Sequence, residues 1–318
     1  MKPPDATAAA AAASIARLRE NLGSALLGKD EAIRLLLVAL AGRGHVLLED
    51  VPGVGKTTLA KALARSISGT FRRIQFTADL LPADVIGSLV WSPGTDALRY
   101  EPGPVFANVL LADEINRTPP RTQSSLLEAM DEHTVTVDGE TRALPDPFVV
   151  VATLNPTESA GTYPLPDSQL DRFFMRFDIG LPDGPTERLV LERHREGRPV
   201  DRLEPVLTPV EVLSLQAAAR NVRVDDRVAA YVLALVAATR RHPRLESGAS
   251  PRASLALYRA AQAAALVDGR DYAIPDDVQS LATAVLGHRV VRRGESPSRR
   301  AGAPDVLDDV AATVAVPI

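Results

Sequence analysis

The sequence predicts an α/β domain, with a parallel sheet sandwiched by helices, followed by a small all-α domain. Strand-like apolar runs alternate with helical patterns up to about residue 182, which is typical of a doubly wound α/β domain. The run Phe148–Thr153 is continuously apolar, as expected for a parallel strand covered on both faces. Beyond residue 182 only helical patterns are expected. These observations predict domains at residues 1–182 and 183–290 and a partly mobile tail at residues 291–318.

The composition excludes several classes of protein. The 318-residue chain contains no cysteine, so disulfide bonds and thiol chemistry are excluded. Its net charge of −4 and its lack of a long basic run argue against nucleic acid as a partner. No apolar run reaches the ~18 residues of a membrane span, so no stable membrane insertion is expected. The Ala-rich start at residues 1–13 leads into an amphipathic helix and lacks the pattern of a signal peptide, which predicts a cytoplasmic protein.

Two helices and a loop open the first domain. Ser14–Leu27 and Glu31–Ala41 carry apolar residues at helical spacing, and Gly28 separates them. The stretch His45–Thr58 then runs from an apolar strand through a loop with two glycines into a helix, which is the pattern of a phosphate-binding loop. Gly28 lies in the link just before this loop, where an adenine ring could rest.

Each part of this loop suits a phosphate. Gly53 and Gly55 let the backbone N–H groups turn inward, and the helix start adds partial positive charge. Lys56 supplies a mobile cation, and the Thr57 hydroxyl is placed to bind Mg²⁺. The strict motif has a glycine where this chain has Asp50, and a chance Gly-rich turn is the alternative interpretation. The predicted nucleotide-binding residues of the loop are Val51, Pro52, Gly53, Val54, Gly55, Lys56, Thr57 and Thr58.

The middle of the domain contains two predicted hairpins. A strand at Phe71–Phe76 is followed by a Pro- and Gly-rich stretch, interpreted as loops around an inserted hairpin at Leu89–Tyr100. Further on, Thr134–Arg142 surrounds Asp138-Gly139, a dipeptide that strongly favours a two-residue hairpin turn. Phe173–Ile179 is predicted to be the last strand of the domain.

Polar residues follow two of the predicted strands. The apolar run Val109–Ala112 ends in Asp113 and Glu114, and Asn155 follows the strand at residues 148–153. Because the carboxyl ends of parallel strands share one edge of the sheet, these side chains are expected beside the phosphate loop. Asp113 can then hold Mg²⁺, Glu114 can polarise an attacking water and Asn155 can bind water or the γ-phosphate. The alternatives are a helix N-cap for the acidic pair and an Asn-Pro turn for Asn155.

The second domain is predicted from helix signals. Thr208–Glu211 is a capping box with proline at the first helical position. The tail at Arg292–Ala303 is polar, and a short closing helix is predicted at Asp305–Val314. The helical patterns between them are Asp225–Arg240, Arg252–Asp268 and Pro275–His288.

Five segments together resemble the MoxR family of AAA+ ATPases, in order and spacing over nearly the whole chain. Gln169–Phe173 and Gly248–Ala253 are more specific than the phosphate loop alone, and Asp50 matches a variant associated with this family. The resemblance implies an AAA+ core followed by a helical lid, with ATP bound between them. The segments are His45–Thr58, Leu110–Arg117, Ala152–Pro156, Gln169–Phe173 and Gly248–Ala253.

The resemblance also assigns roles to individual residues. Lys56, Thr57, Asp113 and Glu114 match the two Walker motifs, and Asn155 matches sensor 1. Arg172 matches the arginine finger, which reaches the nucleotide of the neighbouring subunit. Arg252 matches the sensor 2 arginine on the lid. Without the resemblance, an arginine that follows aspartate on a helix is more simply a solvated surface charge.

The resemblance implies Mg²⁺-dependent hydrolysis of ATP to ADP and phosphate in a homo-oligomeric ring, expected to be hexameric. Hydrolysis would drive chaperone-like remodelling, maturation or metal insertion of a protein client, with a partner that carries a von Willebrand factor A domain. The hairpins at Leu89–Tyr100 and Thr134–Arg142 would face the ring's pore or its client. A nucleic-acid motor and the motor subunit of a metal chelatase belong to the same AAA+ branch and are the alternatives. Glu114, Asn155 and Arg172 argue against a nucleotide switch that does not hydrolyse.

Overall fold

A computed structural model describes residues 6–94, 96–154, 161–195, 197–294 and 303–317 of the chain. The predicted fold class is confirmed: a parallel sheet with helices on both faces is followed by a helical region. The strands are β1 Val46–Glu49, β2 Phe71–Gln75, β3 Gly87–Ser92, β4 Ala97–Pro102, β5 Val109–Asp113, β6 Thr134–Val137, β7 Glu140–Ala143, β8 Val149–Leu154, β9 Met175–Phe177, β10 Leu245–Ser247 and β11 Val291–Arg292.

The helices fall into two groups along the chain. Those of the first region are α1 Ala6–Ala25, α2 Asp30–Ala41, α3 Lys56–Ser66, α4 Pro82–Ile86, α5 Pro120–Glu132 and α6 Asp167–Leu170. Those that follow are α7 Gly184–His194, α8 Pro209–Arg220, α9 Asp226–Thr239, α10 Pro251–Val267, α11 Pro275–Leu286 and α12 Pro304–Thr313. No helix of these described ranges is long and apolar enough to cross a membrane.

The main sheet has the strand order β2-β5-β8-β1-β9, and every neighbouring pair is parallel. Side chains of β1 alternate between its two faces, so Leu48 joins the core under the lid while Leu47 joins the core beside α5. Because both faces are covered, Val46, Leu47 and Leu48 of this strand are all apolar and buried. The sheet therefore has a carboxyl edge, where β1 leads into the phosphate loop, and an amino edge, where β1 and β9 begin.

Both predicted hairpins form. In the second one, Asp138 and Gly139 have φ values of 51° and 80°, and the paired positive values are those of a type I′ turn. The two hairpins also touch, because the Arg142 guanidinium lies 4.0 Å from the centre of the Tyr100 ring.

The structure corrects four details of the sequence interpretation. The stretch expected to form loops before the first hairpin contains the short helix α4, and β9 is shorter than the predicted strand at Phe173–Ile179. Helix α7 was not predicted, because its few apolar residues, Leu189–Leu191, are consecutive and give no helical periodicity. The helical region also contains a two-stranded ribbon, since β10 pairs with β11. A three-residue strand is too short to give a periodic signal.

Candidate functional site

The phosphate loop joins β1 to α3 at the carboxyl edge. Gly53 and Gly55 have φ values of 90° and 108°, which L side chains rarely adopt. A Cβ atom on Gly53 would meet nothing within 4 Å, so there is space for a side chain. It is the backbone conformation that requires glycine at this position. Gly55 is the N-cap of α3 and offers no side chain to the first N–H groups of the helix. Those groups can therefore serve an anion.

Asp50, the departure from the strict motif, anchors this loop. Its carboxylate accepts hydrogen bonds from the backbone N–H groups of Val51 (2.8 Å), Ile179 (2.9 Å) and Gly180 (2.8 Å). The side chain is 9% exposed, and its position ties the loop to the segment that follows β9. Glycine could not make this connection. The sequence signalled an unusual residue here, but the contact with a segment 129 residues away could not be read from it.

The link between α1 and α2 meets the same segment. Gly28 has a φ of 65°, and a Cβ atom there would lie 2.9 Å from the Thr186 Cγ2 atom. The adjacent Lys29 is buried, and its Nζ atom donates to the carbonyl oxygen of Gly180 at 2.6 Å. The link, the phosphate loop and the segment after β9 therefore converge at the carboxyl edge.

Lys56 and Thr57 are the two loop side chains placed to bind the phosphates of a nucleotide and its metal ion. The Lys56 Nζ atom donates to the carbonyl oxygen of Asp50 at 2.8 Å, and Thr57 is exposed. Both side chains lie at the start of α3, where partial positive charge accumulates.

Asp113 and Glu114 lie at the end of β5, at the same edge of the sheet. The Thr153 hydroxyl donates to the Asp113 carboxylate at 2.6 Å and accepts the backbone N–H of Glu114 at 2.8 Å. Arg73 donates to the other Asp113 oxygen at 2.7 Å, and Gln75 donates to Glu114 at 2.9 Å. Thr153, which is fully buried, thus fixes both acidic residues, a role that the sequence did not suggest.

The donor set fits a Mg²⁺ ion that arrives with a nucleotide. In the described ranges there is no group of three or more His, Cys, Asp or Glu side chains that could hold a metal by itself. Mg²⁺ commonly takes one or two protein oxygens and completes its shell with phosphate and water. Thr57 and the Asp113 carboxylate, whose side chain is 13% exposed, are oxygen donors of this kind.

Arg172 and Arg252 lie together at the opposite, amino edge. The Asp131 carboxylate, near the end of α5, pairs with the Arg172 Nε atom at 3.2 Å and with the Arg252 Nη1 atom at 3.9 Å. The three side chains line a cleft with Gly42 and Gly44, which precede β1. Arg252 therefore lies beside Arg172 and away from the phosphate loop of its own chain.

The length of α5 gives the scale of the separation between the two edges. The helix begins shortly after Glu114, and Asp131 lies in its last turn. Thirteen residues at 1.5 Å each span about 20 Å. The arginines and the phosphate loop of one chain are thus too far apart to contact the same phosphate.

A buried histidine supports the amino edge. His45, just before β1, has one ring nitrogen 3.1 Å from the carbonyl oxygen of Met130, while the other accepts the N–H of Val150 at 3.0 Å. Burial lowers the pKa of His45 from 6.5 to about 4, so the ring is neutral at physiological pH. Asn155, the remaining predicted site residue, lies outside the described residues.

Comparisons with known proteins identify the domains and the family of the chain. The family described as "ATPase family associated with various cellular activities (AAA)" matches residues 45–175, and an AAA lid domain matches residues 237–310. The chain is 48% identical to the uncharacterized protein YeaC of Bacillus subtilis, over 94% of this chain and 93% of that one. It is 43% identical to the chaperone MoxR1 of Mycobacterium tuberculosis, over 92% of this chain and 79% of that one.

A solved structure has the same architecture. A crystal structure of a candidate ATPase from Cytophaga hutchinsonii, 33% identical, superimposes with a TM-score of 0.90. The match covers 98% of this chain and 97% of the other.

Proposed function

Because this chain belongs to the MoxR family of AAA+ ATPases, we propose that it forms a ring in which each ATP is hydrolysed between two subunits. One subunit supplies the phosphate loop and the acidic pair from its carboxyl edge. Its neighbour supplies the two arginines from its amino edge. The observation that carries the proposal is that Arg172 and Arg252 line a cleft at the amino edge, to which no residue of the phosphate loop contributes.

The carboxyl edge binds the nucleotide and activates the attacking water. The N–H groups of the loop and the Lys56 ammonium hold the phosphates, and adenine lies near Gly28. Thr57 and Asp113 hold Mg²⁺, which neutralises phosphate charge when bound. Glu114 polarises the attacking water, and Asn155 orients it.

The neighbour completes the site electrostatically. Arg172 and Arg252 share the carboxylate of Asp131, and their side chains are 30% and 56% exposed. They can exchange that partner for the developing charge on the transferred phosphoryl group. An arginine supplied in trans raises turnover by roughly 10³–10⁵-fold in related chemistry. A single subunit should therefore hydrolyse ATP slowly.

Mixing two inactive variants tests this arrangement. Arg172→Ala removes the finger and keeps the acidic pair, whereas Glu114→Gln keeps the finger and removes the water-activating carboxylate. Each variant alone should bind ATP with little turnover. Mixed rings should regain activity, because some interfaces combine an intact Glu114 with an intact Arg172. Recovery would be absent if both residues served the same subunit's nucleotide. Arg188→Ala, at an arginine that is 82% exposed on α7, is the matched control and should remain active.

The proposed output is chaperone-like remodelling of a protein client, together with a von Willebrand factor A domain partner in the cytoplasm. A relative in this family is named a chaperone. The first hairpin exposes three large apolar side chains, Val90, Trp91 and Leu98, with 49%, 53% and 61% of their surfaces accessible. Its contact with the second hairpin through Tyr100 and Arg142 would let the two move together.

A stalled ring can capture the client. Glu114→Gln, with ATP and Mg²⁺ in a cell lysate, should retain a protein complex that nuclease treatment does not release. Trp91→Ala and Leu98→Ala in the same background should weaken retention. Leu233→Ala, at an equally exposed lid leucine, should not. Retention that depends on nucleic acid would overturn the remodelling proposal and favour a nucleic-acid motor.

A further inference from the structure

The residues just after α11 are buried against the segment that carries the proposed arginine finger. The Arg289 side chain is 3% exposed, and His288 beside it is also buried. The ring nitrogen Nε2 of His288 lies 2.9 Å from the carbonyl oxygen of Phe173. Burial and the adjacent Arg289 charge lower the pKa of His288 well below its usual value. The neutral ring therefore donates this hydrogen bond, since a carbonyl can only accept.

Every N–H group of the Arg289 guanidinium has a partner. Its Nε atom donates to the Asp171 carboxylate at 2.7 Å. Its Nη2 atom donates to the carbonyl oxygens of Phe173 at 2.6 Å and Asp171 at 3.2 Å. Its Nη1 atom donates to the carbonyl oxygens of Phe174 at 3.2 Å and of Val285 in the last turn of α11. Four of these five bonds end on residues 171–174, on both sides of Arg172.

Helix α10 of the lid also contacts the Asp171 carboxylate. The Ser250 hydroxyl donates to the other oxygen of Asp171 at 3.0 Å, and Ser250 is the N-cap of α10. Arg252 follows two residues later. Asp171 is therefore fixed between the start of α10 and the end of α11, while Arg172 extends from the same segment toward Asp131.

We propose that Arg289 is a positioning residue for the arginine finger. It attaches residues 171–174 to the lid, which holds Arg172 in position toward the neighbouring subunit and makes it move with the lid. The inference rests on the trans role proposed for Arg172. The position requires the five donors of a guanidinium, because lysine is a point charge that cannot hold a carboxylate and four carbonyls together.

Two substitutions at Arg289 separate positioning from stability. Arg289→Met removes all five bonds, and Arg289→Lys keeps the charge for Asp171 but loses most bonds to the backbone. We expect kcat to fall about 100-fold in the first and about 10-fold in the second, since a displacement of about 1 Å costs roughly 10²-fold. KM for ATP should change less than about threefold, because the chain's own loop is untouched.

Arg270→Met is the matched control. Arg270 pairs with Asp277, whose side chain is 3% exposed, at the other end of α11. This variant leaves the buried carboxylate of Asp277 without its arginine, so its unfolding midpoint should fall as that of Arg289→Met does. Its kcat should stay near that of the parent protein. A comparable loss of kcat in both variants, or full kcat in Arg289→Lys, would overturn the inference.

ATP turnover in mixed rings distinguishes positioning of the finger from a purely structural role of Arg289. Arg289→Met mixed with Glu114→Gln should regain turnover, as Arg172→Ala does with Glu114→Gln. Arg289→Met mixed with Arg172→Ala should not, since both lack a working finger. If Glu114→Gln regains turnover when mixed with Arg172→Ala but not when mixed with Arg289→Met, the role of Arg289 is overturned and the trans proposal stands. Failure of both mixtures would overturn the trans proposal and the inference with it.

Discussion

Replacing Asp50 by glycine restores the strict phosphate-loop motif, yet we expect the variant to be less stable and to bind ATP less tightly. The carboxylate of Asp50 accepts three backbone N–H groups, and its loss leaves those of Ile179 and Gly180 without that partner in a buried setting. The Val51 N–H lies in an exposed part of the loop, where water can replace the carboxylate. Two groups therefore set the cost.

The expected magnitude follows from these two groups. A buried donor without a partner costs about 1–3 kcal/mol, so two cost about 4 kcal/mol. Asp50→Asn should cost less, because Ile179 and Gly180 donate to the same oxygen and the asparagine can retain it. The loop would also lose its tie to the segment after β9, and we expect the Kd for ATP to rise about tenfold, or 1.4 kcal/mol.

Urea unfolding followed by circular dichroism and titration with a fluorescent ATP analogue measure the two effects. Lys56→Ala is the control, because among the described residues its ammonium bonds only to the Asp50 carbonyl oxygen, and its other expected partners are the phosphates. That variant should lose ATP binding with little change in the unfolding midpoint. An Asp50→Gly protein as stable as its parent would refute the anchoring role of Asp50.

Three further predictions concern other contacts. Thr153→Val keeps the side-chain volume but removes the hydroxyl that fixes Asp113 and Glu114, so kcat should fall about 10–100-fold while the Kd for ATP stays within about threefold; unchanged kcat in steady-state assays would contradict this. Asp131→Asn weakens the partner of Arg172 and Arg252, and because such part-exposed pairs contribute about 0.2–1 kcal/mol, kcat in assembled rings should rise by no more than about fivefold; a large loss would instead indicate a positioning role for Asp131. The depressed pKa of His45 adds stability that is present above pH 6.5 and is lost as the pH falls toward 4, by about 3 kcal/mol in total; urea midpoints between pH 7 and 4.5 should fall less steeply for His45→Gln, and equal slopes would contradict the assignment.

The position of the loop and the acidic pair could be predicted because it follows from topology. Parallel strands bring their carboxyl ends to one edge, so the loop after β1 and the acidic pair at the end of β5 lie at the same edge of the sheet. The hairpin turn at Asp138-Gly139 was equally predictable, since two adjacent residues determine it. These features depend on local pattern and on one general rule of sheet architecture.

The amino edge could not be predicted in the same way, because it depends on side-chain contacts between distant segments. The Gln169–Phe173 motif and the Gly248–Ala253 motif were recognisable, but nothing in either indicates that Ser250 bonds to Asp171, 79 residues earlier. Arg289 carried no motif at all, and only its contacts identify it.

The same contacts explain why the two arginines belong together. Arg172 follows an aspartate that the N-cap of α10 holds, and Arg252 lies in the first turn of that helix. A rotation of the lid that moves α10 must therefore carry Arg252 directly and Arg172 through Asp171. In the proposed ring, loss of the γ-phosphate from one subunit's loop would release both arginines of its neighbour, and the neighbour's lid would respond as one body. The link between hydrolysis and movement then lies in the pairing of Asp171 with Ser250 and Arg289, at the amino edge.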